Sequence, residues 1–165
     1  MGNGMVRKVD ELGRVVIPKE MRRILNIKTG NSIEMLIDDN NQVVLKKFSE
    51  LENVSSIIES LAKAVYDFYS IPCFVCDDEK VLTVCGLSKK EFLFKKVKIK
   101  LSNIKGEANL DEILDDVKEN KTCFIFSVLA DGFDSGKLVL LKNLNKEQFN
   151  SIEILVKFVS SILNF

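Results

Sequence analysis

Residues 5–47 carry more short apolar runs and turn signals than one small chain can fold around itself. Met5-Val6-Arg7-Lys8-Val9 meets the turn signal Asp10-Glu11-Leu12-Gly13, and Arg14-Val15-Val16-Ile17 follows and stops at Pro18. The two runs are predicted to be strands joined by a tight turn. Pro18 sits where a helix can begin, because the N–H it lacks would be unsatisfied there anyway. Glu20 falls in the first turn, where a negative charge suits the helix dipole. Met21, Ile24 and Leu25 have the i, i+3, i+4 spacing of one buried face, which leaves Arg22 and Arg23 off it. Beyond Lys28-Thr29-Gly30, two more strands are predicted, Ser32–Ile37 and Gln42–Phe48, joined by Asp38-Asp39-Asn40-Asn41. The unit reads β-β-α-β-β.

Such a unit has a physical problem. Four short strands and one short helix in fewer than fifty residues bury too little surface to fold well alone, and no disulfide or metal compensates. Dimerisation with exchanged hairpins is the natural remedy. Val15-Val16-Ile17 would then enter a shared core, while Arg7, Arg14, Arg22 and Arg23 line a surface doubled by symmetry. Charge agrees with this reading. Residues 1–47 hold nine Lys/Arg against six Asp/Glu, within a chain whose totals are 24 and 24, so a basic piece sits on an acidic remainder. That pattern suits a polyanionic partner for the first piece alone. If Val9 pairs with Arg14 across the turn, Arg7 and Arg14 lie two positions apart along the ladder. That is about 7 Å at strand rise, close to the spacing of successive phosphates on one strand.

Other classes of function fare poorly. The chain has no histidine, which removes the commonest general base and the usual activation of Ser or Cys nucleophiles. Asp77-Asp78-Glu79, Asp111-Glu112 and Asp115-Asp116 flank no phosphate loop and read as solvated surface, so the chain is not expected to be an enzyme. Cys73 and Cys76 form a C-x-x-C, but their surroundings read as a strand, where positions three apart face opposite ways. All four cysteines are expected to be buried and reduced, with no metal and no cofactor. No apolar run approaches the ~20 residues of a membrane span, and Met1–Glu11 has no signal-peptide core. The expected location is cytoplasmic, on the nucleoid.

The stretch "GMVRKVDELGRVVIPKEMRRILNIKTGNSIEMLID…VVLKK", residues 4 to about 48, resembles the DNA-binding domain of the AbrB/SpoVT family of transition-state regulators. Its core, Asp10-Glu11-Leu12-Gly13-Arg14-Val15-Val16-Ile17-Pro18 through Glu20 to Arg22-Arg23, carries the likeness. The resemblance implies a swapped-hairpin β-barrel dimer on double-stranded DNA. It assigns contacts to Arg7, Lys8, Arg14, Arg22 and Arg23, while Lys46 and Lys47 are secondary candidates. Antitoxins of addiction modules share this fold, so a DNA-binding module whose C-terminal half binds a partner protein is the alternative. Asn31 stands where many relatives carry Asp or Glu, away from the arginines.

Texture changes near residue 50, giving domains at 1–50 and 51–165. In the second, a helix over Leu51–Tyr69 is followed by strands at Ile71–Asp77 and Val81–Gly86, and by a helical stretch that Ser88 can cap. A helix near Leu110–Glu119, strands at Cys123–Ala130 and Gly136–Lys142, and a helix over Lys146–Asn164 complete it. The order describes an α+β domain with an antiparallel sheet, and it resembles the small GAF-like sensor half of the longer members of the family. Phe92, Phe94, Phe124, Phe126 and Phe133 either line a pocket for an unidentified small molecule or fill the core. The last helix is apolar nearly all round, from Phe149 to Phe165, which predicts packing on its own sheet and on a second subunit. Dimers through one domain and contacts through the other would build a tetramer.

Overall fold

The computed structural model describes residues 4–25, 27–98, 106–117 and 121–163. They divide into two compact units, Met1–Phe48 and Ser49–Phe165, each with α and β elements and antiparallel sheets.

The first unit contains α1 (Lys19–Ile24) and the hairpin β1 (Ile33–Ile37) with β2 (Val43–Lys47), paired from Ile33 with Lys47 to Ile37 with Val43. Asp38 builds the hairpin turn: its carboxylate accepts the N–H groups of Asn40 at 3.0 Å and Gln42 at 2.8 Å. Asn41 takes the left-handed conformation there, φ 59°, which asparagine tolerates better than most residues. Pro18 occupies the helix N-cap, one position before the first helical residue. Two expectations fail within the single chain. Residues 5–9 and 14–17 form no strand, because a strand needs a partner edge and none is supplied to them among the described residues. The face of Met21, Ile24 and Leu25 is exposed, Ile24 by 77%, because no apolar layer among the described residues of its own unit lies over it.

The second unit holds α2 (Glu50–Asn53), α3 (Ser55–Tyr69), β3 (Cys73–Cys76), β4 (Val81–Cys85), α4 (Lys89–Phe92) and β5 (Gly106–Asn109). Then come α5 (Leu110–Ile113), β6 (Thr122–Ala130), β7 (Phe133–Leu140) and α6 (Lys146–Ile162). One antiparallel sheet runs in the order β4-β3-β7-β6-β5. The helix expected over 51–69 is broken at Val54, whose φ of −114° and ψ of 32° leave the helical region. Ser88 stands at the N-cap of α4 without a side-chain capping bond. The helix expected over 110–119 is a single turn: Leu114 is extended and bridges to Val97, and Asp116 has a left-handed φ of 51°. Glu119 lies outside the described residues, as do Asn164 and Phe165, to which the expectations for the last helix extend. The strand Gly106–Asn109 has no β-rich composition; its pairing with Thr122–Ile125 decides it, a tertiary override of propensity.

Each sheet face has its own core. Ile58, Leu61 and Val65 of α3 and Ile152 and Val156 of α6 cover Val75, Val128, Leu138 and Leu140. Leu110, Ile113 and Leu114 cover Phe74, Cys76, Ile125 and Val139 on the other side. Lys137 is fully buried, its ammonium held by Asp134 and by the Ser127 hydroxyl, as a charge at that depth requires. Asn145 caps α6 through a reciprocal pair with Gln148, its side chain accepting the Gln148 N–H at 2.8 Å.

Candidate nucleic-acid interface

The tip at Asp10–Arg14 is tightly specified by its own atoms. Gly13 N–H donates to the Asp10 carbonyl at 3.0 Å, and Asp10 N–H donates to the Arg14 carbonyl at 3.1 Å. Gly13 has φ 75°, the left-handed value that follows a type I turn in a three-residue hairpin loop. The extra residue shifts the register, so Asp10, not Val9, stands opposite Arg14. The two-position spacing expected for Arg7 and Arg14 therefore does not hold: Arg14 faces Asp10, and residues 5–9 form no strand on which a ladder spacing could be read. The Asp10 side chain finishes the turn: one carboxylate oxygen accepts the N–H groups of Leu12 at 3.0 Å and Arg14 at 2.8 Å, and the other accepts Arg14 Nε at 2.7 Å. The backbone N–H of Arg14, then its guanidinium, hold the Asp10 carboxyl below its ordinary range.

Beside this tip, Arg7, Lys8, Arg14, Lys19 and Arg22 line a concavity of about 500 Å³ floored by Val16, Ile17 and Pro18. Five cations around one hollow, with Asp10 among them, make a surface suited to phosphates. Four of the five expected contact residues are gathered here. The fifth, Arg23, is exposed on α1 and does not line the hollow. Lys19 was not expected. Its signal in the sequence is its place directly after Pro18, three positions before Arg22 on the helix. Lys46 and Lys47 do not line the hollow; Lys46 faces Glu34 across the β1–β2 ladder, 3.9 Å away.

The cysteines and aromatic residues of the second unit divide between the two cores. Cys73 and Cys76 lie on opposite faces of β3, as positions three apart on a strand must. Burial pushes the Cys73 thiol up to about 12, with the facing Cys85 adding to it. Burial likewise carries Cys123 to about 12 and raises the Cys76 thiol as well. Cys85 is half-buried, so the expectation that all four are buried holds for three. Among the described residues, no group of three or more Cys, Asp or Glu side chains is placed to hold a metal ion. Phe124 and Phe126 pack with Phe149 of α6 on one face, with ring centroids 5.3 to 5.5 Å apart. Phe92 lies 6.2 Å from Phe74 on the other face, while Phe94 and Phe133 are exposed. The five aromatic side chains are not brought together as one pocket wall; Phe124 and Phe126 join one core and Phe92 the other, which is the core-filling alternative for those three. Among the described residues, no helix is long and apolar enough to cross a membrane.

Residues 6–49 match the family described as antidote-toxin recognition MazE, bacterial antitoxin. The first unit is thus a MazE/AbrB-type domain. Over 169 aligned residues, 95% of this chain and 95% of the relative, the chain is 28% identical to Stage V sporulation protein T of Bacillus subtilis (strain 168). Over 45 residues, 27% of this chain and 46% of the relative, it is 56% identical to the Transition state regulatory protein AbrB of the same organism. These likenesses, one across the chain and one confined to its first unit, support the AbrB/SpoVT family.

Proposed function

We propose that the chain is a homo-oligomeric, sequence-tolerant DNA-binding regulator of transition-state or sporulation genes, not an enzyme. The observation that carries this reading is the hollow formed by Arg7, Lys8, Arg14, Lys19 and Arg22 on a unit whose apolar side chains remain exposed. The cations supply affinity for a phosphate backbone, and the exposed Val6, Val9, Val15, Val16 and Ile24 supply the surface of a swapped-hairpin dimer. Two copies double the basic surface and give it two-fold symmetry. Arg23 joins the contact set from the exposed side of α1, and Lys46 and Lys47 remain secondary. The names of the relatives, a sporulation protein and a transition state regulatory protein, support the regulatory role.

Residues 51–165 serve, in this reading, as a GAF-like sensor and oligomerisation domain. Ile154, Phe158 and Ile162 follow one another at i, i+4, i+8 on α6 and are exposed, which suits a contact between subunits and a tetramer built from dimers. A small-molecule ligand for this domain would act by biasing that contact. The match to an antitoxin family favours a second reading, in which the C-terminal half binds a partner protein. A stoichiometric partner that copurifies with the native protein and is released by deleting residues 51–165 would establish it.

The DNA reading is tested by a salt series. Each phosphate contact contributes a slope of ~0.9 in log affinity against log salt, so removing one arginine from each subunit should flatten the slope by nearly ~2. Arg14→Ala and Arg23→Ala are compared with the native chain after circular dichroism and sizing show that both fold and associate. Unchanged affinity and slope in both variants would return these arginines to the role of solvated surface.

A further inference from the structure

We propose that Asp10 is a positioning residue for DNA recognition, holding Arg14 by one edge of its guanidinium so that the other edge is presented to DNA. The inference rests on reading the basic hollow as the DNA interface. Asp10 divides its work between two oxygens: Oδ1 accepts the N–H groups of Leu12 and Arg14, and Oδ2 accepts Arg14 Nε at 2.7 Å. Nε carries one of the five guanidinium N–H donors, and the other four lie on the terminal nitrogens. The Arg14 side chain is nevertheless 71% exposed, so it is oriented without being covered.

The cost of this arrangement argues for its use. A carboxylate within a hollow meant for phosphates repels them, and the pair contributes little to stability at such exposure. Its hydrogen bonds keep Asp10 charged, so the repulsion persists at neutral pH. What Asp10 supplies is direction. An arginine whose orientation is set in advance loses less freedom on forming a two-pronged contact, while part of its undirected attraction for any phosphate is cancelled. Binding then depends on geometry more than on charge, and the ratio of preferred to unrelated DNA widens.

The test uses the full chain, its most occupied genomic site as one duplex, and a scrambled duplex of the same base composition as the other. Asp10→Asn keeps an oxygen for the turn but loses the charge and the acceptor for Nε. It should bind the scrambled duplex more tightly and the preferred one less tightly, narrowing the ratio by about tenfold for a dimer, the effect of ordering one long side chain in each subunit. The narrowing should vanish when Arg14 is already alanine, which a purely structural role for Asp10 would not produce. Arg14→Lys keeps the charge and lacks the fork, so it should narrow the ratio likewise; this arm still decides the matter if Asp10→Asn does not fold. An unchanged ratio in Asp10→Asn, or equal narrowing with and without Arg14, overturns the positioning role. A native chain that binds neither duplex overturns the DNA reading itself and this inference with it.

Discussion

In the second unit Ile58, Leu61, Phe74 and Leu138 are all within 1% of complete burial, whereas in the first Val16 and Ile24 are each 77% exposed. The side chains are of the same kind, so composition does not account for the contrast. In residues 49–163 a five-stranded sheet receives helices on one face and a short helix with its flanking loop on the other, and both apolar faces are covered from within the chain. In residues 4–48 one two-stranded hairpin and six helical residues offer apolar surface that nothing described in the chain covers. An exposed aliphatic residue therefore carries a different meaning in each unit. In the first, on the proposed reading, it is surface that a second copy would cover.

The sharpest way to break that comparison is to charge the exposed surface of the first unit. On a self-sufficient surface, Ile24→Asp would change stability by no more than about 0.5 kcal/mol. In a dimer core, a buried carboxylate without a partner costs several kcal/mol, so association should fail and DNA affinity should fall by about a hundredfold or more. Sedimentation equilibrium and gel-shift titration read both effects. A native-like dimer in this variant would sink the shared-core account.

Next in size is the opposite test in the second unit. Leu138 is fully buried between α3, α6 and its neighbouring strands, so Leu138→Ala should cost ~2–5 kcal/mol in urea unfolding. At temperatures where the variant remains folded, DNA affinity should change by less than about twofold, because the basic hollow is built from the first unit's residues alone. Coupled losses of stability and DNA affinity would show that the two units are not energetically separate.

The contrast also explains what the sequence makes legible. The order of elements in the second unit, the strand placement of Cys73 and Cys76 and the end of the first long helix at Tyr69 follow from local periodicity that internal packing reinforces. Gly106–Asn109 is not legible, since its strand exists only through pairing with Thr122–Ile125. The helix expected to reach Glu119 stops at Ile113 because Leu114 is extended and bridges to Val97, a long-range pairing that the local pattern does not announce. In the first unit the turn at Gly13 is legible, but its one-residue bulge is not, and that bulge moves Arg14 from Val9 to Asp10. The strands expected at 5–9 and 14–17 find no partner edge among the described residues. Lys19 escapes a sequence reading because a lysine at a helix start looks like ordinary solvated surface until Arg7, Lys8, Arg14 and Arg22 are seen around it.

The smallest effect that still separates the units is alkaline sensitivity. All four cysteines lie in the second unit, and burial carries the Cys73 and Cys123 thiols from an ordinary 9.0 to about 12. A thiol with a raised folded pKa contributes stability that is fully present below pH 9 and is lost as pH rises toward 12, because the unfolded thiol ionises first. Between about pH 9 and about pH 10.5 the unfolding free energy of the second unit should therefore fall by up to ~2 kcal/mol per thiol. The slope of the urea midpoint against pH is compared with that of a Cys73→Ala, Cys123→Ala variant. Loss of the two thiols should flatten the slope even though it shifts the midpoint. Residues 1–48 contain no cysteine, so the concentration dependence of association through the first unit should not follow the same curve. An equally steep slope in the double variant would assign the alkaline loss to other groups.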